Sequence, residues 1–271
     1  MMNNLAHLAP LSLLLLAAGC SGGSDSGTDS QQANSDNATT AVEVPLADSL
    51  GVEDYESAEF GALFGEILLV GEVPERFPIG ARKVKECTHF PEVEHMSDFI
   101  LARDGKLQNA FVFIESGYDR STIPEQPAEP VVMNQVGCIY TPHVVALQTG
   151  QKLVVKNSDP ATHNVNLNAP DNGGTKNRGM VEGQEPLEFE FRRPDRVKLK
   201  CDIHPWMSAE VYVSRHPWFA VSAEGGTFSI PEVPPGEYVV VAEHDQFGTV
   251  RGRVVVEAGK STGLALTLRV E

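Results

Sequence analysis

Between Phe60 and the C-terminus the chain is broken into short apolar runs by clusters of Gly, Pro, Asn and Asp, and this punctuation restricts the fold more than any other feature. The runs "LFGEILLVGEV" (63–73), "NAFVFIE" (109–115), "QKLVVKN" (151–157), "LEFEFRR" (187–193), "RVKLK" (196–200) and "AEVYVS" (209–214) alternate apolar and polar residues or are apolar on both faces. Successive side chains of a strand point to opposite faces, so a period of two marks a half-buried strand. "EYVVVAE", "RGRVVVEAG" and "TGLALTLRV" carry the pattern to the end, with almost nothing at a helical period. Short strands at this spacing imply an all-β protein built of β-sandwiches.

Three β segments are expected. Residues 60–125 hold two or more strands and end in the loop "SGYDRSTIPEQPAEP". Residues 126–214 contain every candidate ligand, and residues 215–271 form a compact unit around "GGTFSIPEVPPGEYVVV", with a tight turn at Pro234-Pro235-Gly236. The polar stretch "NAPDNGGTKNRGMVEGQEP" (168–186) reads as a long loop with Met180 facing solvent. Upstream, residues 21–59 are rich in Gly, Ser, Asn and Asp without apolar periodicity, and read as a disordered acidic tether. Ser21 to Phe60 holds nine acids and no base, so it carries −9 of the formal charge of −16. Such acidity argues against nucleic acid and anionic lipid surfaces as partners.

Four cysteines occur, of which Cys20 lies in an apolar N-terminal segment. Thiols pair in an oxidising compartment, and an odd one among the remaining three needs a reason. In "KLKCDIHPWM" (198–207) a histidine and a methionine follow Cys201 at three-residue intervals. The natural partition is therefore a Cys87–Cys138 disulfide and a Cys201 thiolate that a metal would protect. Pro205 blocks regular strand pairing, so 202–206 must be a loop at the end of the strand 196–200. There Cys201, His204 and Met207 can turn to one centre. Thiolate and thioether are soft donors suited to copper, and a blue-copper set needs one more imidazole. His163, in "VVKNSDPATHNVNL", supplies it.

Together, "GQKLVVKNSDPATHNVNL" and "FEFRRPDRVKLKCDIHPWM" resemble the cupredoxins, the blue copper proteins, and the short ligand loop is similar to that of the amicyanins. The resemblance covers 126–214. It implies a Greek-key cupredoxin β-sandwich, flanked by an N-terminal β segment and a small C-terminal β-sandwich unit. It further implies one type 1 copper with His163, Cys201 and His204 as equatorial ligands and Met207 as the weak axial one. Asn164 matches the position that hydrogen-bonds the ligand loop, Pro205 shapes that loop, and His204, exposed in it, would be the electron port. Through "GGTFSIPEVPPGEYVVV" the C-terminal unit resembles carboxypeptidase regulatory-like domains, which implies no catalytic activity.

The first twenty residues, "MMNNLAHLAPLSLLLLAAGC", read as an export signal. The apolar run from Leu8 to Ala18 is too short for a bilayer, which takes about 20 residues. Its end, "AAGC", resembles the lipobox of bacterial lipoproteins, which implies a lipid anchor on Cys20 at the periplasmic face of the envelope. Ser21 after it implies the outer membrane, and a signal peptide cleaved without lipidation is the alternative. No G-x-S-x-G, HExxH or C-x-x-C-H occurs. His143, His216 and His244 read as structural or surface residues, as do His89 and His95. The expectation is a membrane-anchored, non-enzymatic carrier of single electrons that serves a redox partner protein. The alternatives are copper sequestration or delivery, and a structural β module with a vestigial or zinc site.

Overall fold

The computed structural model describes residues 44–271, so the export segment, Cys20 and the tether as far as residue 43 lie outside them. Gly61–Val70 buries one face completely and the other in part, and it lies in the middle of a sheet. It runs parallel to Lys260–Arg269 and antiparallel to Thr227–Val233 and Lys106–Leu107. At Gly65 a side chain would meet the Leu264 carbonyl and the Phe228 ring, at 2.0 and 2.7 Å, so only glycine lets these strands approach. A second, four-stranded sheet in the order Phe219–Val221, Phe111–Ser116, Gly236–His244 and Gly248–Val256 faces the first. Leu63, Ile67, Val112, Ile114, Val240 and Leu266 fill the core between them. Each such side chain contributes roughly 1.5–3 kcal/mol through burial.

This sandwich corrects the expected domain boundaries. Residues 60–125 and 215–271 are one body, whose strands alternate within the same two sheets. Strands so far apart in sequence leave no local mark of their pairing. Phe111–Ser116 and Phe219–Val221 are antiparallel neighbours, with Phe113 opposite Phe219. The whole intervening chain is spliced between them as a second sandwich, an insertion of the kind that close entry and exit points permit.

The inserted sandwich has a five-stranded sheet, ordered Gly174–Met180, His163–Ala169, Asp195–Lys200, Ser208–Ser214 and Val144–Gln148. Leu187–Glu190, Lys152–Asn157, Val131–Val136 and Ile139–Thr141 make the other. From Val144 to Lys200 the chain passes back and forth between the sheets, and Met133, Tyr140, Leu153, Leu167, Phe191 and Leu199 pack between them. The expected loop at 168–186 is in part a strand. Gly174–Met180 pairs with His163–Ala169, and Met180 is fully buried with its sulfur 3.1 Å from Gln135 Nε2. The polar side chains of 175–178 had hidden this edge strand, because they face solvent. Likewise Asp48–Asp54, expected in the tether, adds to the free edge of Lys260–Arg269. All seven of its residues are exposed, so backbone hydrogen bonds hold it and no apolar pattern announces it.

The sandwiches meet where Phe111 stacks on Tyr212, with ring centroids 4.5 Å apart. Arg196 bridges the seam, its Nε 3.0 Å from Glu210 Oε2 and its Nη1 2.9 Å from Glu243 Oε1. His143 and His244 are buried beside it. Burial opposes the charge on His143, but Asp98, Asp245 and Glu210 hold its pKa above the usual value. Burial, with His143 and Arg196 nearby, outweighs Asp245 and pushes His244 down to about 4. A depressed histidine is neutral when folded and protonates near 6.5 when unfolded, so its contribution to stability is lost as pH falls from 6.5 toward 4. His244→Gln should therefore remove a loss of a few kcal/mol at most over that window, read from urea midpoints at several pH values. The raised His143 acts with the opposite sign as pH climbs past 6.5, and its contribution should persist in the variant.

Candidate metal centre

Two strand ends and one loop build the site at one pole of the inserted sandwich. His163 opens the strand His163–Ala169, and Cys201 directly follows Asp195–Lys200. The loop returns on itself: the Cys201 N–H donates to the Met207 carbonyl at 3.0 Å, and the Met207 N–H to the His204 carbonyl at 2.9 Å. Pro205 and Trp206 form the turn between, and Met207 leads into Ser208–Ser214. The side chains of Cys201 and Met207 sink into the core of the sandwich. No ligand candidate is exposed: His163 stands at 0%, Met207 at 1%, Cys201 at 2% and His204 at 6%.

Cys201 Sγ lies 3.9 Å from His163 Nδ1 and 3.7 Å from His204 Nδ1, and the two nitrogens are 3.0 Å apart. A circle through three points at those separations has a radius of roughly 2.1 Å. First-row metals bind imidazole nitrogen at about 2.0–2.1 Å and thiolate sulfur at about 2.3 Å. The three donors are thus spaced as they would be around one ion.

Their protonation fits as well. Burial opposes ionisation of Cys201, but the His163 hydrogen bond and the nearby backbone N–H groups of Asn164, His204 and Ile203 outweigh it and lower the pKa. Burial also opposes charge on His163, yet Asp159 and Cys201 raise its pKa. His204 is lowered by burial and by His163. The hydrogen bonds that lower Cys201 favour its thiolate, the form in which a cysteine binds a metal.

Asn164 braces the loop. Its Oδ1 accepts from the Asp202 N–H at 2.7 Å and lies 3.5 Å from Cys201 Sγ, while its Nδ2 donates to Asn177 and Asp202. Tyr140 Oη donates to the Asn164 and Lys200 carbonyls from beneath.

One residue escaped the sequence reading. Asp159, fully buried, accepts from His163 Nε2 at 2.8 Å. The same carboxylate takes the N–H groups of Gly137 and Cys138, at 2.5 and 2.9 Å. A proton held on Nε2 leaves the Nδ1 lone pair facing Cys201, the carboxylate–histidine arrangement common behind metal ligands. The available signal was an acid four residues before His163, but "NSDP" reads equally as a turn.

Cys87 and Cys138 form a disulfide with an S–S distance of 2.07 Å. Cys138 sits in a two-residue hairpin turn in which both Gly137 and Cys138 have positive φ, 66° and 55°. The disulfide changes the surface expected of the site. Cys138 Sγ lies 4.0 Å from His204 Nε2, and the Cys138 carbonyl accepts from Trp206 Nε1 at 3.0 Å. Ile79, Ala81, Val84 and Cys87 pack with Trp206 and Ala161, and a side chain at Gly80 would come within 2.6 Å of the indole. His204, expected in an exposed loop, is thus roofed by the segment 79–87. That cover comes from a distant part of the chain, and the loop sequence carries no trace of it. His95 belongs to this roof, its Nε2 3.0 Å from the Gly137 carbonyl, and His216 bonds the Ile114 carbonyl.

Residues 202–269 match the family model of the carboxypeptidase regulatory-like domain. The match begins inside the ligand loop, takes in Ser208–Ser214 of the inserted sandwich and then runs through the last strands of the host. Solved structures that resemble the chain include a purple cupredoxin from Nitrosopumilus maritimus, at 21% identity over 31% of this chain and 99% of that one, with a TM-score of 0.27. Amicyanin from Paracoccus versutus is 19% identical over 38% of this chain and 97% of its own, at 0.28. A copper-containing nitrite reductase from Thermus scotoductus is 15% identical over 54% of this chain and 28% of its own, at 0.29. No curated protein matches. The described residues are all-β, and His163, Cys201 and His204 stand together in one of two sandwiches, with Met207 buried in the same core.

Proposed function

We propose that this protein is a copper-binding carrier of single electrons, held at the periplasmic face of the envelope by a lipid on Cys20, with no catalytic site of its own. His163, Cys201 and His204 would hold the ion in plane and Met207 would serve as the weak axial donor. The observation that carries this reading is the buried triangle of one sulfur and two Nδ1 atoms, sized for a single ion. Bound copper would supply a one-electron couple, and the soft thiolate and thioether donors suit it. Asp159 fixes the His163 tautomer, Asn164 holds the loop, and burial keeps water from the donors. Donors fixed in this way move little when charge changes. The partner would be another redox protein.

The roof over His204 favours a second reading, retention of copper rather than passage of electrons, because the imidazole edge that a partner would approach is covered. Voltammetry on the copper-loaded chain, followed by challenge with a Cu(I) chelator, decides between them. A carrier cycles reversibly by one electron and keeps its metal through many cycles. A delivery protein gives Cu(I) up to the chelator, and a storage protein keeps its copper but fails to cycle. A chain that takes up zinc and no copper would defeat both.

A further inference from the structure

The imidazole of His204 stands between two sulfur sites. Its Nδ1 is 3.7 Å from Cys201 Sγ, and its Nε2 is 4.0 Å from Cys138 Sγ. On the second side, ligand atoms of Cys87, Cys138 and His204 all lie within 4.8 Å of one another, and all three residues are buried. While the two sulfurs are bonded to each other they have no thiolate charge to offer. Reduced, they become two soft anionic donors beside a ring nitrogen, a three-coordinate set suited to Cu(I).

The pair is held in place by more than its own bond. Cys87 is set by its N–H on the Val84 carbonyl at 3.1 Å and by packing against Ile79 and Ala81. Cys138 is set by its N–H on Asp159 and by its carbonyl under Trp206 Nε1. These backbone contacts are made apart from the Sγ–Sγ bond, and on the proposal below they keep the two sulfurs near His204 once that bond is broken.

We propose that Cys87 and Cys138, in the dithiol form, bind a second Cu(I) ion with His204 Nε2 as third donor. This goes beyond the carrier reading and does not depend on it. A reducing dithiol breaks the Sγ–Sγ bond by exchange, becomes a disulfide itself and passes two protons to Cys87 and Cys138. Cu(I) then displaces those two protons, and no electron moves in the binding step. Where His204 Nδ1 already serves the first centre, the ring must also give up its Nε2 proton. The two sites therefore compete for one imidazole, and the second ion binds more tightly when the first centre is disabled.

The test uses the full chain carrying Cys201→Ser, which disables the first centre, titrated with Cu(I) against a chromophoric chelator. With the disulfide intact it should take up no copper. After reduction and removal of the reducing dithiol it should bind one equivalent and release two protons. Adding His204→Gln should weaken that binding by about tenfold or more, or about 1.4 kcal/mol. X-ray absorption on the loaded protein should give two sulfurs and one nitrogen around copper. No uptake after reduction overturns the proposal, as does a sulfur-only shell. Equal affinity with and without His204 overturns it too, because it would mean loose thiols, including those of a chain unfolded by reduction. Copper uptake by the oxidised wild type reports on the first centre separately, so the two readings fail independently.

Discussion

Cys201→Ala should leave a folded protein that no longer shows the intense visible band of a thiolate bound to Cu(II), and that holds copper about a hundredfold more weakly or worse. Replacing groups merely behind a metal ligand already lowers affinity by about 10–100-fold, so removal of the charged donor belongs at or beyond the top of that range. The fold should survive. The lost sulfur is one small group at the margin of a large core, and the backbone bonds that close the loop, from Cys201 N–H to Met207 and from Met207 N–H to His204, involve no side chain. Absorption spectra of copper-titrated wild type and variant, with far-ultraviolet circular dichroism as the control, provide the readout. A variant that keeps the band would place the copper elsewhere and remove the basis for the proposed centre.

The next largest effect is expected at Asp159. Three donors converge on this one buried carboxylate: His163 Nε2, Gly137 N–H and Cys138 N–H. Asp159→Asn preserves shape but turns an amide N–H toward at least one of them. A buried donor left without an acceptor costs about 1–3 kcal/mol, so the urea midpoint should fall accordingly. His163 would keep at best a neutral amide oxygen in place of the carboxylate that holds its Nε2 proton, and copper affinity should drop by about 10–100-fold. Asp159→Ala orphans all three donors and should be worse in both measurements. An Asp159→Asn variant with wild-type copper affinity would reduce this residue to a turn former.

The cluster of His163, Cys201 and His204 was legible in the sequence because its members come from two short stretches. Cys201, His204 and Met207 fall within seven residues, and His163 sits at a strand start with its own turn signal. The disulfide was legible for a related reason, since Cys201 has metal-binding neighbours and the other two cysteines do not. What stayed hidden depends on partners far along the chain. The roof of 79–87 covers a loop more than a hundred residues downstream, and the partner strands of 61–70 include the last of the protein. Edge strands were missed at 48–54 and 174–180 because backbone bonds secure them, while their side chains look like those of any solvated loop. Met180 shows the limit most clearly. One buried thioether at the end of a polar strand has no periodicity to reveal it.

The splice of one sandwich into the other has a mechanical consequence. Near its two ends the described chain forms the neighbouring strands 48–54 and 260–269, whose registers run from Asp48 opposite Ala265 to Asp54 opposite Lys260. Tension applied between those ends would first pull residues 44–47 off Arg253, then unzip this pair bond by bond, and then work inward through the host. The inserted body hangs from two adjacent strands as a side loop outside the line of force, so its ion-sized triangle stays unloaded until the host gives way.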